Sequence, residues 1–228
     1  MNIVIDQGNT SVKIALFEEN TLLNLFHFED FSEAVLQEII RKHPLDAGIL
    51  CTVKQVDKAV FSYLDSLLSR FFVLNEQTPV PLVLDYQTPQ TLGMDRIAAA
   101  MGAYRQKPGE NLLVIDAGTA ITFDYVDKEG RYKGGNISPG PELRFKALHH
   151  FTDKLPLLDE QGDVPALGYD TETAIRAGVM AGIVREMDSY IEEYIKKQHV
   201  FTFLTGGYAF YFESKLKNPI FADGNLVL

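Results

Sequence analysis

The chain has 228 residues, of which 46% are hydrophobic and 23% are charged, a composition typical of a soluble globular protein. Its formal net charge of -10, with no block of like charges, argues against binding to a nucleic-acid backbone, which requires a basic surface. The single cysteine, Cys51, excludes internal disulfides and lies in an apolar run typical of a buried strand.

The beginning of the sequence has no basic segment before its first predicted strand, so we expect no signal peptide. No apolar run approaches the roughly 20 residues that a membrane-spanning helix needs. We therefore expect a cytoplasmic protein that does not bind membranes.

Hydrophobic periodicity in the first half predicts strands that alternate with helices. Two strands joined by a turn precede a helix with Ser32 as its N-cap, and the last helix of this half ends at a Lys-Pro-Gly sequence. The predicted strands cover residues 2–6, 11–18, 47–53, 71–74 and 81–86, and the predicted helices cover residues 33–43, 56–71 and 95–105.

The second half is predicted to begin with a β-hairpin and to contain one long helix. Gly130 is expected to form a further hairpin turn, and residues 152–170 are expected to form a loop. The predicted strands cover residues 112–116, 121–126, 131–137, 199–205 and 225–228, and the predicted helices cover residues 139–150, 171–197 and 208–216.

An internal repeat organises these elements. The segments "VIDQGNTSVKIALFEE" and "VIDAGTAITFDYVDKE" align on Asp6 and Asp116, which are 110 positions apart. Each combines an apolar strand, an aspartate, a turn with Gly and Thr, and a second strand. We therefore predict two copies of one α/β unit, residues 1–110 and 111–228, with a cleft between them.

The two turns are typical of a site that binds phosphate. Small residues allow backbone N–H groups to converge on an anion, and hydroxyl groups add donors. A carboxylate beside such a turn would repel phosphate unless a cation lies between them, so Asp6 and Asp116 are predicted to be cation ligands. Lys13 could add a point charge. A single Asp-X-Gly is also ordinary turn chemistry, but its duplication favours a nucleotide site.

A loop that ends at Gly93 leads into a helix with Asp95 and Arg96 in its first turn. The helix N-terminus favours an ionised Asp95, which suits a base that accepts a proton from an alcohol. Arg96 offers a planar fork for a carboxylate or phosphate. The alternative is an ordinary N-terminal aspartate beside a surface arginine.

Five segments together resemble the signature sequences of type III pantothenate kinases, in the same order. They are "DQGNTSVK" at Asp6–Lys13, "GMDR" at Gly93–Arg96, "DAGTA" at Asp116–Ala120, "GGNISPG" at Gly134–Gly140 and "TGG" at Thr205–Gly207. Asp-X-Gly-Asn-Thr recurs across the wider superfamily of acetate and sugar kinases and actin. The Gly-X-Asp-Arg segment between the two turns is the specific one.

The resemblance implies two ribonuclease H-like (actin-like ATPase) domains, a homodimer, and ATP-dependent phosphorylation of pantothenate in coenzyme A synthesis. It also implies magnesium with the nucleotide, near Asp6, and a monovalent cation, K⁺ or NH₄⁺, at Asp116. The residues that it implies for ATP binding are Asp6, Gln7, Gly8, Asn9, Thr10, Ser11, Val12, Lys13 and Thr119. The family usually has Ile or Val at the position of Gln7.

For the acceptor, the resemblance implies that Asp95 accepts the proton. The residues that it implies for the pantothenate pocket are Tyr86, Gly93, Met94, Asp95, Arg96 and Thr171. The "GGNISPG" segment could be purely structural or could let a substrate lie close. Two other functions stay open: another small-molecule kinase or phosphatase of the superfamily, and a nucleotide-binding regulator or filament protein without catalysis.

Overall fold

Two β-sheets organise the part of the chain that the structure describes, one in each of two compact units. A computed structural model describes residues 1–29, 32–55 and 57–228. The first unit comprises residues 1–81, 87–102 and 227–228, and the second comprises residues 82–86 and 103–226. The sequence repeat predicts a different boundary, between residues 110 and 111, for the two copies of the α/β unit. That boundary stays a prediction.

The sheet of the first unit has the order β3-β2-β1-β4-β5. Its strands are β1 (Asn2–Gln7), β2 (Val12–Glu18), β3 (Thr21–Phe28), β4 (Ala47–Thr52) and β5 (Arg70–Val73). Strand β2 runs antiparallel to both β1 and β3, whereas β4 runs parallel to β1 and β5 runs parallel to β4. Its helices are α1 (Glu33–Lys42), α2 (Lys58–Leu67), a short 3-10 helix (Pro89–Thr91) and most of α3 (Met94–Gln106).

Alternating apolar side chains of β1 and β2 form the core of this unit. Ile3 and Ile5 on β1 are completely buried, as is Ile14 on β2. Leu36 of α1 and Leu64 of α2 are completely buried in the same cluster, which fixes both helices on the sheet. This packing holds the end of β1 in place, where Asp6 lies.

The sheet of the second unit has the order β11-β10-β7-β8-β9-β6. Its strands are β6 (Val83–Leu84), β7 (Leu112–Ala117), β8 (Ala120–Val126), β9 (Arg131–Pro139), β10 (Phe201–Thr205) and β11 (Phe221–Ala222). Its complete helices are α4 (Pro141–His150), α5 (Thr171–Arg176), a π-helical turn (Ala177–Ala181), α6 (Gly182–Lys197) and α7 (Ala209–Glu213). The predicted long helix is therefore one helical segment interrupted by a π-turn.

The two sheets repeat one topology. The order β3-β2-β1-β4-β5 of the first sheet matches β9-β8-β7-β10-β11 of the second, with three antiparallel strands followed by two parallel ones in each. Asp6 and Asp116 are each the fifth residue of the corresponding central strand. This confirms the prediction of a duplicated α/β fold.

Two predicted boundaries were wrong for identifiable reasons. The helix predicted over 56–71 ends at Leu67, because the chain turns extended at Leu68 so that Phe71 can pair beside Gly48 on β4. The predicted start of that helix, Val56, lies outside the described residues. The helix predicted from Pro139 begins at Pro141, since β9 continues to Pro139.

The edge strands also differ from the predictions. β3 was not predicted, although it pairs with β2 along its whole length. The strand predicted over 225–228 does not form; Phe221 pairs with Phe203 of β10 instead, and the side chain of Asp223 accepts the N–H of Asn225 in a turn. In the part of the chain that the structure describes, no helix is long and apolar enough to cross a membrane.

Candidate functional site

The first turn (Gly8–Ser11) joins β1 to β2 and carries the central part of the predicted phosphate-binding segment. The Gly8 N–H donates to the Ser11 carbonyl oxygen at 3.0 Å, so the turn is closed by its own backbone. Asn9, Thr10 and Ser11 are exposed, which leaves their side chains accessible to a ligand. A short, closed turn of small and polar residues at the end of a strand suits the binding of an anion.

Two residues predicted to bind ATP also have structural tasks in the sheet. Val12 is 2% exposed and belongs to the core, so only its backbone is available to a ligand. The side chain of Gln7 accepts a hydrogen bond from Thr52 Oγ1 at 2.9 Å, and its carbonyl oxygen accepts the Val53 N–H at 3.2 Å. Gln7 therefore links the end of β1 to β4 immediately before the first turn.

Asp6 lies near the end of β1, with Lys13 of β2 and Cys51 of β4 as its register partners. Burial raises the pKa of Asp6 from 3.8 to about 6; the charge of Lys13 opposes this rise and the charge of Asp95 adds to it. An ionised carboxylate in this position costs free energy unless a cation compensates it. Burial and the same two carboxylates raise the pKa of the Cys51 thiol, so Cys51 is not a nucleophile.

Asp95 lies in the first turn of α3, as predicted from the sequence. Its Oδ1 atom accepts the N–H of Arg96 at 2.9 Å. A Cβ atom at position 93 would lie 2.4 Å from Asp95 Oδ1, so the glycine there leaves room for the carboxylate. Because Asp95 affects the pKa of both Asp6 and Cys51, the predicted base and the predicted phosphate-site carboxylate lie in one neighbourhood of the first unit.

The residues on either side of Asp95 are not surface residues. Arg96 is only 6% exposed, so the alternative interpretation of it as a surface arginine is wrong. Met94 packs against a small apolar cluster that includes Cys51, Leu74 and Ala98. These contacts fix the start of α3 against β4 and thereby the position of Asp95.

Asp116 occupies in the second sheet the position that Asp6 occupies in the first, but its neighbours differ. Its register partners are Thr122 on β8 and Thr205 on β10, where Asp6 has Lys13 and Cys51. Directly opposite residues on neighbouring strands share a face of the sheet. Two hydroxyl groups therefore flank the second aspartate, whereas an ammonium group and a thiol flank the first.

The hydroxyl groups beside Asp116 find no hydrogen-bond partner among the residues that the structure describes. The Oγ1 atoms of Thr122 and Thr205 are buried, and neither makes a hydrogen bond within the described residues. A buried hydroxyl without a partner costs about 1–3 kcal/mol. Gly206, at φ +92°, packs directly against the carboxylate, because a Cβ atom there would lie 2.3 Å from Asp116 Oδ1.

The second turn (Gly118–Ala120) contains Thr119, which is half-buried. The Gly118 N–H donates to the Ala120 carbonyl oxygen at 3.0 Å, which repeats the closure of the first turn with one residue fewer. Gly140 packs against this turn so closely that a Cβ atom there would lie 2.1 Å from the Gly118 carbonyl oxygen. Thr119 thus lies in the same hairpin as Asp116, with its backbone supported by the end of the "GGNISPG" segment.

The two remaining residues predicted for the pantothenate pocket lie on separate elements of the second unit. Tyr86 follows β6 and is half-buried against β9, whereas Thr171 is the exposed first residue of α5. Asp170 caps that helix by accepting the Thr173 N–H at 2.8 Å. The roles of all these residues toward ligands stay predictions.

Comparison with protein-family models matches residues 2–193 to a family described as type III pantothenate kinase. A type III pantothenate kinase of Azobacteroides pseudotrichonymphae genomovar. CFP2 is 53% identical over 228 residues, which cover 100% of this chain and 93% of that protein. Together these two matches cover the whole chain.

Solved structures with lower identity share the fold. A conserved protein assigned to a Baf family of transcriptional activators, from Campylobacter jejuni, has a TM-score of 0.63 at 22% identity and covers 99% of this chain and 92% of its own. A protein assigned as a 2-dehydro-3-deoxygalactonokinase, from Sinorhizobium meliloti, has a TM-score of 0.58 at 12% identity and covers 100% and 95%. The fold is thus that of two-domain sugar kinases and actin-like ATPases. With 192 residues matched by the family model and a relative 53% identical over the full length, this chain belongs to the type III pantothenate kinase family.

Proposed function

We propose that the chain is an ATP-dependent kinase that phosphorylates the primary hydroxyl group of pantothenate to 4'-phosphopantothenate, the first step of coenzyme A biosynthesis. Membership of the family supports the reaction and its acceptor. The structural observation that carries the proposal is the proximity of Asp95 to Asp6, since a base beside a phosphate-binding turn suits phosphoryl transfer. We place this enzyme in the cytoplasm.

In the proposed mechanism, the first turn and Lys13 hold the phosphates of ATP. Asp95 accepts the proton of the pantothenate hydroxyl group as its oxygen attacks the γ-phosphorus. The new O–P bond forms in line with the bond to the β-phosphate oxygen, which breaks and leaves ADP. Because most catalysis of this reaction comes from positioning and charge, the fixed Asp95 carboxylate and the buried Arg96 matter through their placement.

The residues fit the two cations that the family implies. Burial raises the pKa of Asp6, so its ionised form is costly in the protein, and a magnesium-bound nucleotide nearby would offset that cost. The carboxylate of Asp116 and the hydroxyl oxygens of Thr122 and Thr205 could coordinate K⁺ or accept hydrogen bonds from NH₄⁺. A cation there would supply positive charge near the second turn.

Thr205→Val is expected to weaken activation by K⁺. Valine has nearly the shape of threonine but offers no oxygen, so we expect the K⁺ concentration for half-maximal activity to rise at least tenfold, roughly 1.4 kcal/mol of lost interaction. The shift in melting temperature between KCl and choline chloride should shrink as well. Circular dichroism would follow the melting, because the chain has no tryptophan.

Thr202→Val is the matched control for this experiment. Thr202 lies on the same strand, and its Oγ1 atom is likewise buried with no hydrogen-bond partner in the described part of the chain. Its register partner, however, is Leu113 rather than Asp116. Both variants should keep or raise the melting temperature without K⁺, since an unpartnered hydroxyl is removed. An unchanged K⁺ response in Thr205→Val would contradict the assignment of that residue.

We further propose a homodimer, as the family resemblance implies. Leu167 and Tyr169, four and two residues before Thr171, are 85% and 70% exposed. Large apolar side chains that stay this exposed are typical of surfaces that a partner covers. A partner that covered this surface would lie near the start of α5, where Thr171 is proposed to contact pantothenate.

A phosphorylation assay tests the proposed function directly. The chain is incubated with Mg-ATP and, in turn, pantothenate, acetate or a sugar, with KCl or with choline chloride, and the product is identified by mass spectrometry. We expect 4'-phosphopantothenate and a higher rate with KCl. Turnover of acetate or a sugar instead would make the chain another kinase of the superfamily. Binding of ATP without turnover of any acceptor would favour a regulator.

A further inference from the structure

The two adjacent glycines of the "GGNISPG" segment make room for two different side chains of the protein. At Gly134, which has φ +105°, a Cβ atom would lie 3.2 Å from the Tyr86 ring. At Gly135, a Cβ atom would lie 1.9 Å from the Phe123 carbonyl oxygen and 2.8 Å from Asp124 Oδ1. At these two glycines the segment therefore leaves room for the ring of Tyr86 on one side and for the carboxylate of Asp124 on the other.

Tyr86 is held along β9 by a series of contacts. β6 pairs Leu84 with Tyr132 in parallel register, and the Asp85 N–H then donates to the Tyr132 carbonyl oxygen at 2.9 Å. The side chain of Asp85 forms an ion pair with Lys133. Two residues beyond the register pair on each strand, the ring of Tyr86 meets the backbone of Gly134.

The ring of Tyr86 also contacts Tyr132 edge to face, with ring centroids 6.1 Å apart and an angle of 69° between the planes. Tyr132 is completely buried, and its hydroxyl group donates to the carboxylate of Asp124, which is 1% exposed. A buried tyrosine whose hydroxyl is fixed by a buried carboxylate has little freedom to rotate. Tyr132 is therefore a rigid support for the half-buried ring of Tyr86.

We propose that Tyr132 and Gly134 are positioning residues for pantothenate, which act by fixing the ring of Tyr86. Asp124 takes part by fixing the hydroxyl group of Tyr132. The inference rests on the proposed function, in which Tyr86 lines the pantothenate pocket. The affinity for pantothenate would then depend on two buried residues of the second sheet, Tyr132 and Asp124, which need not contact pantothenate themselves.

Gly134→Ala tests this inference through the kinetics of each substrate. The added methyl group would displace the Tyr86 ring, so we expect the KM for pantothenate to rise roughly three- to tenfold, the size of one aromatic contact. The kcat and the KM for ATP should not change. In a Tyr86→Ala background, Gly134→Ala should raise the KM for pantothenate no further, because the ring that it displaces is absent.

Gly109→Ala is the matched control. Gly109 has φ +80°, so alanine there is strained in the same way, but apart from its chain neighbours none of the described residues has an atom within 4 Å of the added Cβ. Both variants should lower the melting temperature, and only Gly134→Ala should change the KM for pantothenate. Tyr132→Phe keeps the ring and removes the hydroxyl group that donates to Asp124. It is the second variant if Gly134→Ala does not fold, and it should raise the same KM by a smaller factor.

The outcomes separate the inference from the function on which it rests. Additive effects of Gly134→Ala and Tyr86→Ala, or equal changes in the KM for both substrates, would overturn the inference while the wild-type kinase activity stands. An unchanged KM for pantothenate in both Gly134→Ala and Tyr132→Phe would do the same. A wild-type chain that does not phosphorylate pantothenate would overturn the function, and the inference with it.

Discussion

Asp95→Asn is expected to lower kcat by a factor of roughly a hundred to ten thousand, the usual contribution of a general base. Asparagine keeps the shape of the side chain and can still accept the N–H of Arg96, so the first turn of α3 should persist. It cannot accept the proton of the pantothenate hydroxyl group. Removal of its charge also ends the repulsion of Asp6, so the chain should fold normally and should still bind ATP.

The measurement is a set of steady-state kinetics for the variant, with circular dichroism and ATP titration to establish folding and binding. Asp57→Asn is a suitable control, since Asp57 also lies at a helix N-terminus of the first unit, where it accepts the Ala59 N–H at 2.8 Å. This control should cost a little stability and leave kcat unchanged. A kcat near the wild-type value in Asp95→Asn would show that Asp95 is not the base.

Much of the fold was predictable because local patterns and the global topology agree. The apolar residues before Asp6 and Asp116 form buried central strands, and the turns after them close as the glycines predict. The repeat in the sequence becomes a repeat of strand order in the two sheets. Asp95 also lies at a helix start, where Gly93 and the following helical pattern place it.

Other features depend on register, which a single sequence does not reveal. No local sequence pattern identifies Thr122 and Thr205 as neighbours of Asp116. These two residues are 83 positions apart in the sequence and come together only because β8 and β10 both pair with β7 in the folded sheet. The contact of Tyr86 with Gly134 depends in the same way on the two-residue strand β6. β3 was missed because its apolar residues do not alternate strictly with polar ones.

Asp6→Asn is expected to make the ligand-free protein more stable while it removes kinase activity. The folded chain holds the Asp6 proton more tightly than the unfolded chain does, because burial raises its pKa from 3.8 to about 6. Ionisation therefore opposes folding, and the penalty develops as the pH rises from about 4 to about 6, where it approaches about 3 kcal/mol. Asparagine avoids this charge, although the observed gain should be smaller because a buried amide is also costly.

Melting curves of wild type and Asp6→Asn without ligand, from pH 8.0 down to about pH 5.5, would measure this effect while the pH stays above the pI of about 4.9. The variant should melt higher at pH 8.0, and its advantage should begin to shrink below about pH 6, where Asp6 of the wild type starts to be protonated. Mg-ATP should raise the melting temperature of the wild type far more than that of the variant, since ligand binding stabilises only a competent site.

Asp46→Asn provides a control with the opposite sign in the same unit. The hydroxyl group of Ser69 donates to Asp46 Oδ1 at 2.7 Å and holds the pKa of that exposed carboxyl group below its usual value. Its neutralisation should therefore lower stability at neutral pH and leave the response to Mg-ATP intact. If Asp6→Asn were less stable than the wild type at pH 8.0, the buried carboxylate would already be compensated within the protein, and the physical reason for a cation-bound phosphate at β1 would be lost.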